Sequence, residues 1–356
     1  MLFLAFTHPQ SKPYVNFGLS ILSVYAEKVK HLFETAKAVR TGDEQRKVLD
    51  KLKEVKIEVL EELIKRASPI QSALNNIKAG LSTVNEHYAL LVEGLKQLGY
   101  SVVEVEAALQ DKGLVGVSGG SFHAIYEVGL TWDYIYDLPY IPASSVKGAT
   151  RNWALRKCSE LERGDLKRSC AEKVLDLFGA PEGEIYHRDE HEWFTQNFGD
   201  LKSAISFAGN VFVADAYPID SGRGVIAHGL LVPDVMTPHY YRGGEVVVDE
   251  FEAEPVPIQY LAIAPGTRFK FVIGVKDFGA TPNYVAELSS MLFGKQASSL
   301  TALVAGILAN TLLEGVGAKT GKGYSYFTIE KAVVHRAGFG RRFMRGEYRR
   351  QAGESL

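Results

Sequence analysis

An α+β chain is predicted, and three observations predict it. Residues 14 to 99 carry apolar positions at helical spacing between charged ones, interrupted by Pro69. From about residue 114 the texture turns to short alternating runs bounded by glycine and proline. Two further helical segments separate these runs, so the order reads strand, helix, strand, strand, helix, strand. That order is the ferredoxin-like (RRM-like) βαββαβ pattern, also used by RNA-recognition modules. The expected architecture is therefore such a core with a long insertion, about 217–262, and an N-terminal helical region.

Leu49, Leu52, Leu60, Leu63 and Ile64 fall on one face with lysines and glutamates between them, as an amphipathic helix requires. Residues 1–105 are read as a helical accessory region and 106–335 as the main domain. LVGVS and IYEVGLTW, separated by the turn-rich SGGSFH, are expected to be strands. In YIPASSVKGATR, residues 140 to 151, Ser144 or Ser145 is the expected N-cap, and Val146 to Leu155 the first helical turns. NVFVADA and RFKFVIGV (268 to 275) read as strands. An apolar helix follows at about 299 to 314, then a glycine-rich loop into the strand YSYFTI. The tail, 336–356, holds six arginines against Glu347 between Arg336 and Arg350, the pattern of an RNA- or subunit-contacting arm or of a solvated tail.

Hydrophobic content of 46% and charged content of 23% fit a globular chain and exclude a disordered or fibrous one. MLFLAFTH has no basic n-region and no apolar run reaches membrane-span length, so a cytoplasmic protein is expected. Cys158 and Cys170 form no disulfide framework on this reading, in keeping with a reducing compartment. A net charge of −2 excludes an overall positive coat, but nucleic-acid binding needs only a local basic surface.

Lys147 and Arg151 are four apart, on one helix face near an end that attracts anions; with Ser144 and Ser145 they form the first candidate phosphate site. The second is GVGAKTGKG, residues 315 to 323. It is not a Walker A loop: Val316 stands where the first glycine belongs, Gly323 where a Ser or Thr belongs, and the loop leaves a helix for a strand. Gly315, Gly317, Gly321 and Gly323, interleaved with Lys319, Thr320 and Lys322, instead suit backbone amides and ammonium groups turned towards phosphates. His187 and His191 lie downstream of the two cysteines, but the eleven residues between Cys158 and Cys170 do not match zinc-finger spacing. His239, Tyr240 and Tyr241, near His228 and Asp234, are candidates for RNA or subunit contact. Asp133 and Asp137 read as turn or capping residues. No catalytic residue, metal or cofactor is expected.

LPYIPASSVKGATR (138 to 151), LFG (177 to 179) before NVFVADAYP (210 to 218), and LEGVGAKTGKGY (313 to 324) resemble the RAMP superfamily of CRISPR-associated RNA-binding proteins. VPDVMTPHYY narrows the resemblance to the sixth-subunit family of the Cmr-type (type III-B) effector complex, a particle that uses a guide RNA to find and cut complementary RNA. It covers about residues 110 to 330, and departs where Ala143 replaces the glycine common in the family. The resemblance implies a non-catalytic subunit that binds crRNA near the guide's 3′ side. Its implied neighbours are the repeated backbone subunit and a further capping subunit, with target RNA close by. It also implies one groove shared by Ser144, Ser145, Lys147, Arg151 and the 315–323 loop, and a projection formed by 217–262. The alternative is a metal-independent RNA endonuclease that matures precursor guide RNA, with His123 as its candidate.

Overall fold

The computed structural model describes residues 16–38, 42–65, 68–179, 188–199, 209–237, 241–242, 245–246, 257–276 and 282–337. Three long helices open it: α1 (Phe17–Ala38), α2 (Gly42–Lys65) and α3 (Ser68–Gln97). Their inward stripes are Phe17, Ile21 and Val29, then Val55, Val59 and Leu63, then Ile77, Val84, Tyr88, Val92 and Leu95, each at helical spacing and buried. Asn16 caps α1 by accepting the Leu19 N–H at 3.0 Å. The buried Asp137 carboxylate accepts the Phe17 N–H at 2.6 Å and the Trp132 indole N–H at 2.9 Å. The start of α1 is thereby fixed to a turn 120 residues away.

After α3 comes β1 (Ser101–Leu109), followed by the short pair β2 (Trp132–Asp133) and β3 (Leu138–Pro139). Helices α4 (Ala143–Ser159), α5 (Gly164–Phe178) and α6 (Arg188–Phe198) lead to β4 (Val211–Val213) and β5 (Tyr217–Asp220). β6 (Leu231–Met236), β7 (Tyr241–Arg242), β8 (Glu245–Val246) and β9 (Ile258–Ile263) form two antiparallel pairs, β6 with β9 and β7 with β8. β10 (Arg268–Val275), α7 (Pro282–Phe293), α8 (Leu300–Glu314) and β11 (Phe327–His335) close the described chain. Among the described residues no helix is long and apolar enough to cross a membrane.

The central sheet is antiparallel, in the order β11, β1, β10, β4, with β5 also paired to β10. Val103, Val105 and Ala107 stand opposite Ile273, Phe271 and Phe269, which puts all six on one buried face. The helix that covers this face, α8, is apolar all round its inner stripe, with Leu303, Val304, Ile307, Leu308 and Leu312 buried. Glu104 and Glu106 alternate onto the other face beside Lys270, whose ammonium lies 5.8 Å from the Tyr88 ring centroid. That second face carries α3. The Tyr88 hydroxyl shares its one hydrogen between the backbone carbonyls of Asp215 (2.8 Å) and Lys270 (3.0 Å) and accepts the Tyr217 N–H at 2.8 Å.

The sequence expectations need four corrections. The first sheet strand is 101–109, not the 114–132 runs, so a boundary at 105 would cut β1. Between 110 and 131 the chain makes only isolated backbone bonds, Gly129 N–H to the Val117 carbonyl at 2.7 Å and Thr131 N–H to that of Val115 at 2.8 Å, and no strand forms. The last strand starts at Phe327, because residues 323–325 are still turning. The insertion begins later than 217, since β5 belongs to the central sheet. Finally, Cys158 and Cys170 are joined by a disulfide, because α4 and α5 pack together and bring their Cα atoms to 5.5 Å.

Candidate nucleic-acid interface

The start of α4 is built differently from its expected form. Its cap is Pro142, not Ser144 or Ser145, and the Ala143 N–H donates to Asp215 Oδ1 at 2.6 Å. A carboxylate therefore already takes the first amide of the helix end. Ser144 and Lys147 face a cleft of about 490 Å³, with Tyr100, Asn210, Phe212 and Lys276 among its other walls. The Lys276 ammonium lies 4.5 Å from the Tyr100 ring centroid. Burial, and after it the neighbouring Arg151 guanidinium, lower the proton affinity of Lys147. Ser145 and Arg151 are partly exposed on the same helix.

The glycine-rich loop has a second character. Its own amides are largely engaged: Gly315 donates to Leu312, Val316 to Ser325, Ala318 to Leu114, Lys322 and Tyr324 to Lys319, and Gly323 to Thr320. The amides of Gly317, Lys319, Thr320 and Gly321 lie outside those bonds. Lys319 turns inward: its ammonium bonds the Tyr260 hydroxyl at 2.9 Å and sits 4.5 Å and 5.3 Å from the Tyr260 and Tyr324 ring centroids. Asp234 on β6 completes the cluster, paired with Lys112 at 2.9 Å and accepting from the Tyr260 hydroxyl at 3.0 Å and from the Tyr324 hydroxyl. Burial opposes ionisation of Asp234, but the Tyr324 hydroxyl and Lys112 outweigh it and hold the carboxyl below its usual range. The cluster therefore clamps the loop to the insertion, and leaves Lys322 as the exposed ammonium of the pair.

The two candidate segments do not meet at one point. Glu314, next to Gly315, accepts the Trp153 indole N–H at 2.7 Å and pairs with Arg156. Trp153 is ten residues beyond Ala143, about 15 Å along a helix axis. A strand touching both would run along α4. His239 and Tyr240 lie outside the described residues, as does His187; Tyr241 begins β7 and His191 lies in α6. His123 is exposed on a single helical turn, and among the described residues its ring makes no hydrogen bond or ion pair. Asp133 caps its own turn, accepting the N–H groups of Ile135 and Tyr136 at 2.7 Å and 3.0 Å.

Sequence reasoning missed Tyr100, Phe212, Asp215 and Lys276. They come from three separate stretches, and only NVFVADAYP, which holds Phe212 and Asp215, had been singled out.

A family model for the RAMP superfamily matches residues 115–328. The chain belongs to the RAMP superfamily. It is 30% identical over 287 residues to the CRISPR system Cmr6 subunit of Saccharolobus solfataricus, covering 81% of this chain and 78% of that one. Against the Cmr6 subunit of Pyrococcus furiosus the identity is 25% over 294 residues, covering 74% and 78%. Among solved structures, a chain of a type III-B Cmr-beta complex bound to cognate target RNA aligns at a TM-score of 0.57 and 25% identity. That alignment covers 91% of this RAMP chain and 93% of the other.

Proposed function

We propose that this RAMP chain is a non-catalytic crRNA-binding and assembly subunit of a type III-B CRISPR ribonucleoprotein that cleaves complementary RNA. The observation that carries the reading is the cleft at the start of α4, where Lys147, Lys276 and Ser144 stand beside exposed aromatic surface. Such a surface holds a phosphate backbone and stacks bases without reading their sequence, as a scaffold for any guide must. The kinship with Cmr6 subunits supports the assembly role in a Cmr complex. The proposed place is near the guide's 3′ end, beside the repeated backbone subunit and a further capping subunit in the cytoplasm. The strand order β11, β1, β10, β4, with helices after β1 and after β10, supports a ferredoxin-like core. The β6–β9 insertion then serves as the projection reaching from that core towards RNA.

Binding of a fluorescent guide RNA across a salt series tests the reading. Lys147→Ala with Arg151→Ala is expected to weaken binding and flatten the salt slope by about one to two released counterions, and Lys322→Ala by about one. Salt-independent binding, or indifference to all three changes, would return the role to protein contacts alone. Incubation with precursor guide RNA in EDTA is expected to yield no cleavage products, and a specific product lost in His123→Ala would favour the endonuclease instead.

A further inference from the structure

A second cleft, of about 400 Å³, adjoins the first and shares Ala143, Phe212 and Val213 with it. Its far wall is α3, through Val84, His87, Tyr88 and Leu91, and its floor is Tyr136, Asp215 and Tyr217. The aromatic packing is dense. Tyr136 meets Tyr217 edge-on at 5.1 Å, Tyr140 stacks on Tyr217 at 5.5 Å, and His87 meets Tyr136 at 5.5 Å. Phe212 stands on the shared rim, 38% exposed. Its volume lies in the range of small-molecule sites, and it combines ring faces with few polar groups, as such sites do.

We infer that this aromatic cleft takes one unstacked nucleobase of the bound RNA, with the flanking phosphates on Lys147 and Lys276 in the adjoining cleft. Charge and chemistry select this occupant. The rings of Phe212, His87 and Tyr136 line the cleft, and aromatic rings stack on any base, because every base has a π-face. Asp215 and the His87 and Tyr136 pair, linked at 2.6 Å, put acceptor and donor atoms at the wall where a base edge would lie. An apolar side chain from a neighbouring protein would meet those polar atoms without answering them. The inference rests on the RNA-binding reading above and adds a base to the phosphates. It also gives the N-terminal helices a part in binding, since α3 supplies one wall.

The test uses the full-length chain and two single-stranded probes of equal length, a fluorescent RNA and a fully abasic ribose–phosphate strand. Wild type is expected to bind the abasic strand roughly tenfold more weakly at the same salt slope. In Phe212→Ala, and separately in the surface variant His87→Ala, that difference should shrink while the salt slope stays. Lys147→Ala with Lys276→Ala should weaken both probes alike and flatten the slope. If the two probes bind wild type equally with a normal salt slope, or the difference persists in both cleft variants, the base pocket is overturned and the phosphate reading stands. If neither probe binds with salt dependence, both fall. If Phe212→Ala keeps the probe difference but loses neighbouring subunits on co-purification, the cleft receives a protein side chain and the inference is overturned.

Discussion

Asp234 shows how the composition around a residue and its surroundings in space can point to different roles. In VPDVMTPHYY it stands among histidine and tyrosines, a composition that suits proton transfer. Its carboxylate is instead surrounded by donors from Lys112, Tyr260 and Tyr324, which favour the ionised form. The folded pKa lies below the ordinary value of 3.8, so the stabilisation is present above that value and is lost as pH falls through the folded pKa. Asp234→Asn is therefore expected to lower stability at neutral pH, with the difference from wild type closing below about pH 4 in urea melts. Two glycines nearby make a matched pair. A Cβ on Gly317, at φ 144°, would lie 2.6 Å from the Leu114 carbonyl oxygen, whereas one on Gly321 meets nothing within 4 Å. Gly317→Ala should cost about 1–3 kcal/mol. Gly321→Ala should leave the melt unchanged, so any loss of RNA affinity in it reports close approach of the ligand.

At the level of elements, α4 and α5 act as one hairpin. The Cys158–Cys170 disulfide, both residues fully buried, crosslinks them across a separation of 12 residues. Closing a loop of that size is expected to stabilise by about 2–3 kcal/mol, read as a drop in melting temperature for the double change to serine, or for wild type reduced after unfolding. The cysteine spacing hid this pairing, because what aligns the sulfurs is the packing of two helices. Legibility followed the same rule throughout. The helices α4 and α8 and the strands β4 and β10 were readable, since each carries its own period and its own stop. β1 was not read: SVVEVEAAL alternates cleanly, yet it follows a 30-residue helix with only a short glycine turn between. The LVGVS and IYEVGLTW runs misled for the opposite reason, being apolar because they are buried in irregular backbone. Of the candidate interface, Ser144 and Lys147 were legible as a local motif. Its aromatic walls were not, because residues 84–91, 100, 209–217 and 276 converge only through the sheet.

At the level of the molecule, the N-terminal helices read as an accessory, and their packing argues for a larger role. Buried apolar residues of α1, α2 and α3 belong to one continuous core with those of the central sheet, from Phe17 through Val103 to Phe327. α3 covers the sheet face opposite α8, and the Tyr88 hydroxyl serves two carbonyls and one amide there. Tyr88→Phe would leave those groups short of a partner in a buried place, which costs about 1–3 kcal/mol. A chain beginning at Tyr100 would lose all of this at once, and would also lose the Phe17 contact of Asp137, leaving that buried carboxylate with one partner fewer. It is expected to lack a cooperative thermal transition, to bind hydrophobic dyes and to lose RNA affinity. A cooperative melt for that fragment, with guide affinity equal to the full chain's, would mean that 1–99 is an appendage after all. It would also remove α3 from the proposed base pocket, so the same fragment decides at once how the fold is divided and where its binding surface ends.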